Sequence, residues 1–272
     1  MRDRSRRPAS VRRGEPVESP AEVLDLRTLA ILPVKRFKGA KQRLAPQLGG
    51  GARQALAQAM FSDVLASLCR ARELDAIAVV TGDHAAESIA RGKGVEVLYD
   101  GGDQGQSPAA RIGVRYALNR GYDRVLLVPG DAPLLDAVEL DGLLTRSEAA
   151  GRAVTIVPDR HGEGTNALLL APPDAIQPSF GEGSFWRHVG AVRGARLEHS
   201  VEPLASLEHD IDTPDDLAEV WSLIDRSRGV APMTRGALRQ LNRSRATSPL
   251  GTGDEHPAGE HPAGQQPAGH TA

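Results

Sequence analysis

The chain has 272 residues, 40% of them hydrophobic and 25% charged, with a net charge of -2, the balance of one main globular domain rather than of a disordered or fibrous protein. Neither that charge nor an aromatic content of 3% supplies the basic field and stacking platforms of a nucleic-acid surface, so small ligands are the expected partners.

In chain order, residues 1–26 are Arg, Pro, Glu and Ser without a hydrophobic period and are predicted to be a disordered tail. Arg2, Arg4, Arg6, Arg7, Arg12 and Arg13 have no apolar segment behind them of the kind a secretory signal needs, and no run approaches the roughly 18 apolar residues of a membrane span. The expected location is therefore the cytoplasm, with no membrane contact.

Leu29 to Val34 is a short apolar strand. From Ala52 to Arg72, Leu56, Met60, Val64 and Leu68 recur every fourth position with Phe61, Leu65 and Cys69 beside them, an apolar helical face. Cys69 is the one cysteine, which excludes an internal disulfide and a cysteine-based zinc site; its place in that pattern reads as core. Strands follow at Ala76 to Val80 and Val95 to Leu98, with a polar helix from Ala85 to Arg91 between them. A helix at Ala109 to Asn119, the strand Arg124 to Val128 and a helix at Val138 to Ala149 continue the rhythm. Ala153 to Val157 and Ala167 to Leu170 add strands, and Phe185 to Val192 a short helix. Thr213-Pro214-Asp215-Asp216 opens the last predicted helix with a cap, a Pro at the first position and acids in the first turn. Such alternation implies a mostly parallel α/β sheet with helices on both faces and an antiparallel strand at its edge.

The domain is expected to span residues 27–227. From 228 to 272 the chain turns polar and ends in near-copies of Pro-Ala-Gly at Pro257, Pro262 and Pro267, a second disordered tail whose His256, His261 and His270 have no fixed geometry for a metal.

Asp131 ends a buried strand, where open α/β sheets bind ligands, and Asp210 and Asp212, at i and i+2 of an extended segment, point the same way. Three such carboxylates suit Mg²⁺, a hard cation held by one or two carboxylates together with substrate phosphates. After the first strand, Lys35, Arg36, Lys38, Lys41 and Arg43 place five cations within nine positions, beside the point where a phosphate ligand would dock. The spacing is neither a Walker loop nor a dinucleotide fingerprint. The loop Asp159 to Asn166 offers Thr165 and Asn166 to an anion, or is a glycine-rich hairpin with no ligand. In Phe180 to His188, Ser184 and flanking glycines sit at a helix start, either as a cap or as an anion site.

Taken together, Leu32-Pro33-Val34-Lys35, Ala40-Lys41, Arg43-Leu44, Asp131-Ala132-Pro133-Leu134, Gly164-Thr165-Asn166, Phe180-Gly181 with Ser184 and His188, and Asp210-Ile211-Asp212-Thr213 resemble, in order, the guanylyltransferases that activate phosphoenolpyruvate or 2-phospho-L-lactate for coenzyme F-420. The resemblance covers about residues 28–226. It implies a Rossmann-like, GT-A-like nucleotidyltransferase, a three-layer sandwich forming a single domain. It also implies Mg²⁺ on Asp131, Asp210 and Asp212, with the acid substrate on Thr165, Gly181 and Ser184. The nucleotide would lie on Pro33, Lys35, Lys41, Arg43 and Asp83, with Asp131, Lys35 and Lys41 as the catalytic groups. Two departures stand out: Gly105-Gln106-Ser107-Pro108 where the family often has Gly-Leu-Asn, and Glu163 in place of a glycine.

The implied partners are GTP and a small phosphorylated carboxylic acid, with a homodimer or a transient contact with the next pathway enzyme. The reaction needs no strong base, because the attacking phosphate oxygen is already an anion; this agrees with the lack of a convincing Ser-His-Asp or Cys-His arrangement. Phosphoenolpyruvate is the expected acid, since the high-Arg, high-Ala chain resembles the bacterial members; 2-phospho-L-lactate and a non-catalytic nucleotide sensor are the alternatives. A molybdopterin nucleotidyltransferase would have a glycine-rich first loop, and a glycosyltransferase an Asp-x-Asp at the central strand end; neither is present.

Overall fold

The computed structural model describes residues 26–102 and 104–247, with side chains through residue 243. Both expected tails lie outside it in large part, including the Arg-rich start, the Pro-Ala-Gly copies and the three tail histidines.

Seven strands form one sheet: β1 (Thr28–Val34), β2 (Ala76–Thr81), β3 (Glu96–Tyr99), β4 (Arg124–Leu127), β5 (Val154–Pro158), β6 (Thr165–Leu170) and β7 (His199–Val201). The helices are α1 (Gly50–Leu68), α2 (His84–Gly92), α3 (Gln106–Asn119), α4 (Ala137–Ala149), α5 (Ser184–Ala195), α6 (Pro214–Arg226) and α7 (Pro232–Thr247). The strand order is β3-β2-β1-β4-β6-β5-β7, and every neighbouring pair is parallel except the two that β6 makes with β4 and β5.

Alternation along β1 divides the core. Ala30, Leu32 and Val34 face a layer containing Leu56, Met60, Phe61, Leu140 and Val220 from α1, α4 and α6, while Leu29 and Ile31 face Ala110, Val114, Val189 and Val192 from α3 and α5. Helices thus cover both faces, the expected three-layer sandwich. At Gly113 a Cβ would stand 2.4 Å from Ile31, so only glycine lets α3 lie this close to β1.

Three expectations need correction. The antiparallel strand is β6, inside the sheet rather than at its edge. Its turn explains this: the Asp159 carboxylate accepts the backbone N–H groups of His161, Glu163 and Gly164, which folds residues 159–164 into a tight reversal. Second, Cys69 is exposed: it lies on the line of Phe61 and Leu65 but is the C-cap of α1, where the helix ends and the chain leaves the core. Third, the chain does not become a tail at residue 228. Helix α7 packs on α1 with Leu238 buried, and its first N–H groups, of Met233 and Thr234, donate to the Asp63 carboxylate on α1.

Candidate active site

A cleft of about 370 Å³ opens at the carboxyl ends of β1 and β4. These adjacent strands are where the chain changes direction across the sheet, since β1 is followed outward by β2 and β3 while β4 lies on its other side. Open parallel sheets bind ligands at such switch points. The basic segment 33–41 forms one wall, Gly105 and Gln106 at the start of α3 another, and Pro129 to Asp131 with Asp212 the floor.

Lys41 organises that floor. Its backbone is left-handed (φ 53°, ψ 48°), and its Nζ donates to Asp131 Oδ2 at 2.7 Å and to Asp212 Oδ1 at 2.8 Å. Burial alone would depress its pKa, but the two carboxylate charges outweigh that cost and hold the ammonium above its ordinary range. Asp210 and Asp212 share a side because Ile211 between them is driven into the core. The segment is held from behind by α6: Thr213 and Asp216 form a capping box, and Asp216 also accepts the Asp212 N–H at 3.0 Å. Burial, reinforced by the charges of Asp131 and Asp212, raises the Asp210 carboxyl to a pKa of about 6.

Among the described residues no group of three or more His, Cys, Asp or Glu side chains stands in an array ready to hold a metal ion. Asp131 and Asp212 close instead on the Lys41 ammonium, with Asp210 within reach of its charge. The donor chemistry of the trio nevertheless fits Mg²⁺: the oxygens are hard and anionic, two already converge on one positive charge, and the third feels both neighbours.

A second cluster lies beside the cleft. Thr165 at the start of β6 shares a 3.0 Å hydrogen bond with His188 Nδ1 on α5, and Nε2 of the same ring accepts the Ser179 N–H at 2.9 Å. Burial, and to a lesser extent the Arg187 charge, lowers the His188 pKa to about 4. Arg187 gathers the carbonyls of Ser179, Phe180, Gly181 and Glu182, so one guanidinium folds the loop around itself. Gly181 (φ 102°) and Gly183 (φ 67°) supply the backbone conformations this needs. The Phe180 N–H donates to Ser107 Oγ at 2.8 Å, tying the loop to the helix start that lines the cleft.

The residues expected from the sequence therefore divide. Pro33, Lys35, Lys41, Asp131 and Asp212 line one cleft, with Asp210 close enough to sense Asp131 and Asp212. Thr165, Gly181 and Ser184 belong to the neighbouring cluster, Thr165 and Ser184 nearly buried and Gly181 exposed. Arg43 is exposed in a short 3-10 turn and does not line the cleft. Asp83, expected to touch nucleotide, does not line it either: Oδ1 caps α2 through the Ala85 and Ala86 N–H groups, and Oδ2 accepts the Phe37 N–H at 2.9 Å. Asn166 gives its amide to the Leu207 carbonyl at 2.6 Å rather than to an anion. Gln106 and Ser107 stood out in the sequence only as a departure from the family's usual turn; that Gln106 lines the cleft and Ser107 ties the neighbouring loop to it was not expected. The helix-start glycine at 105 was the signal that could have found them.

The family described as guanylyl transferase CofC-like matches residues 28–241. The chain belongs to that family. A Conexibacter woesei protein named phosphoenolpyruvate guanylyltransferase is 48% identical over 217 residues, 80% of this chain and 97% of the relative. One of the same name from Sphaerobacter thermophilus is 40% identical, over 71% and 92% of the two chains. A Methanothermobacter thermautotrophicus protein named 2-phospho-L-lactate guanylyltransferase is 33% identical, over 72% and 84%. Among solved structures, a Desulfovibrio desulfuricans chain described as a nucleotide-diphospho-sugar transferase aligns with TM-score 0.64 at 22% identity, over 80% of this chain and 97% of that one. That likeness shows the nucleotidyltransferase fold alone. Membership in the CofC-like family makes the chain a guanylyltransferase, with a nucleotide and a small acid as its substrate classes. Among the described residues no helix is long and apolar enough to cross a membrane.

Proposed function

We propose that this chain transfers the guanylyl group of GTP to phosphoenolpyruvate, giving enolpyruvoyl-2-diphospho-5'-guanosine and pyrophosphate in coenzyme F-420 biosynthesis, in the cytoplasm. A phosphate oxygen of phosphoenolpyruvate attacks the α-phosphorus, and the bond from that phosphorus to the pyrophosphate oxygen breaks in line. Both reactants are anions, so the barrier is repulsion and alignment rather than proton transfer. Lys35 and Lys41 face the triphosphate. Asp131, Asp210 and Asp212 would hold Mg²⁺, which when bound neutralises charge on the phosphates. Thr165, Gly181 and Ser184 receive the acid. The observation that carries the reading is the Lys41 ammonium seated between Asp131 and Asp212 on the floor of a basic cleft, in a chain 48% identical to a protein of that name.

The test is pyrophosphate release from purified protein with Mg²⁺, each of GTP, ATP and CTP, and each of phosphoenolpyruvate and 2-phospho-L-lactate. Release with GTP and phosphoenolpyruvate is expected. A preference for 2-phospho-L-lactate would move the acid to the alternative, and release with neither would reject the reading.

A further inference from the structure

We propose that His188 is a positioning residue that fixes the Thr165 hydroxyl as a hydrogen-bond donor toward the acid substrate. The inference rests on the assignment of Thr165 to the acid site.

The argument is one of forced polarity. A backbone N–H can only donate, so His188 Nε2, which lies 2.9 Å from the Ser179 nitrogen, must present its lone pair. A neutral imidazole has one proton, which is thereby assigned to Nδ1. The contact at 3.0 Å then has a single sense: Nδ1–H donates and Thr165 Oγ1 accepts. The hydroxyl's own hydrogen is barred from the ring and is directed away from it. An acid ligand carries only acceptors on its carboxylate and phosphate, so a hydroxyl held in this sense is a donor before the ligand arrives.

Burial separates this role from a catalytic one. His188 is 0% exposed while Thr165 keeps 7%, so the ring has no surface of its own with which to meet a ligand and acts through the hydroxyl it holds. The surroundings preserve the neutral ring. Phe180 packs edge-on against it with centroids 5.5 Å apart, and the Arg187 charge opposes protonation. A protonated ring would have to donate at both nitrogens and would confront the Ser179 N–H. One residue thus sets the polarity of the β6 wall and anchors the loop that carries Gly181 and Ser184.

Two substitutions separate the functions. His188→Gln can offer an oxygen to the Ser179 N–H but no N–H to Thr165, whereas His188→Asn can offer an N–H toward Thr165 but no acceptor to Ser179. For His188→Gln, the KM for phosphoenolpyruvate should rise about tenfold or more, with the KM for GTP unchanged within about twofold. His188→Asn should recover part of that loss. Combining His188→Gln with Thr165→Val should cost no more than Thr165→Val alone, since both remove the same interaction. Two-bond ¹H–¹⁵N spectra of the wild-type protein should show His188 protonated at Nδ1 and bare at Nε2, a readout that needs no variant to fold.

Protonation at Nε2, an unchanged phosphoenolpyruvate KM in a folded His188→Gln protein, or additive losses in the double variant would each overturn the proposal. Wild-type protein that releases no pyrophosphate with either acid would sink the functional reading instead.

Discussion

Lys41 adopts a left-handed backbone, which costs a non-glycine residue of order 1 kcal/mol or more, and in return its ammonium reaches both Asp131 and Asp212. Replacing it by Met would leave three neighbouring carboxylates without their shared counter-charge. For Lys41→Met we expect kcat to fall by about 10² to 10³, the range found when one preorganised electrostatic group is lost from an active site. Steady-state assays with a circular-dichroism check of folding would test it, and near-normal turnover would remove Lys41 from the chemistry. His188 gives a pH prediction with a definite sign. Its pKa falls from 6.5 in the unfolded chain to about 4 in the fold, so the native state resists a proton that the unfolded state accepts. Stability is full above about pH 6.5 and declines as pH drops toward 4, by up to about 3 kcal/mol from this group. Urea midpoints between pH 7.5 and 4.5 should show a decline that is reduced in His188→Gln. The carboxylates could be read from the sequence because i and i+2 on an extended segment share a side whatever the rest of the fold does. Which of five cations would reach them could not, because that depends on the left-handed turn at Lys41.

Asp83 shows how an element can be legible in a sequence while the role of one of its residues is not. An aspartate before a helix looks the same whether it caps the helix or meets a ligand, and here its two oxygens are taken by α2 and by the Phe37 N–H of the basic segment. It fixes the base of the basic wall of the cleft. Asp83→Asn can keep the cap with its remaining oxygen, but it then turns an NH₂ toward the Phe37 N–H, donor against donor. The KM for GTP should rise several-fold with a stability loss of about 1 kcal/mol. An unchanged KM for GTP at full expression would show that the wall holds without this tie. Helix α7 escaped notice for a related reason. Its polar sequence packs through few apolar positions, Leu238 foremost, and its N-terminal cap comes from Asp63, 170 residues away. No local signal can announce a cap supplied from another helix.

At the scale of the whole molecule, the alternating strands and helices were enough to predict a parallel sheet covered on both faces, whereas the direction of β6 was not, since an apolar run reads identically either way. Reversing β6 has a functional consequence. It brings Thr165, at the strand's beginning, to the end of the sheet where β1 and β4 terminate, so both loop clusters sit on one rim. The physical join between them is narrow: the Phe180 N–H on Ser107 Oγ, in the first turn of the helix whose Gly105 and Gln106 line the cleft. In-line transfer demands that the attacking phosphate oxygen and the α-phosphorus be aligned, and misplacement by about 1 Å can cost of order 10² in rate. Ser107→Ala deletes the join while leaving the carboxylates, the basic segment and the His188 bonds intact. Each substrate should still bind, so both KM values should stay within about threefold, while kcat falls about tenfold because the two halves of the rim are no longer held in register. Equal losses in kcat and in either KM would place Ser107 in substrate binding itself, and an unchanged kcat would show that the two clusters are aligned by the sheet alone.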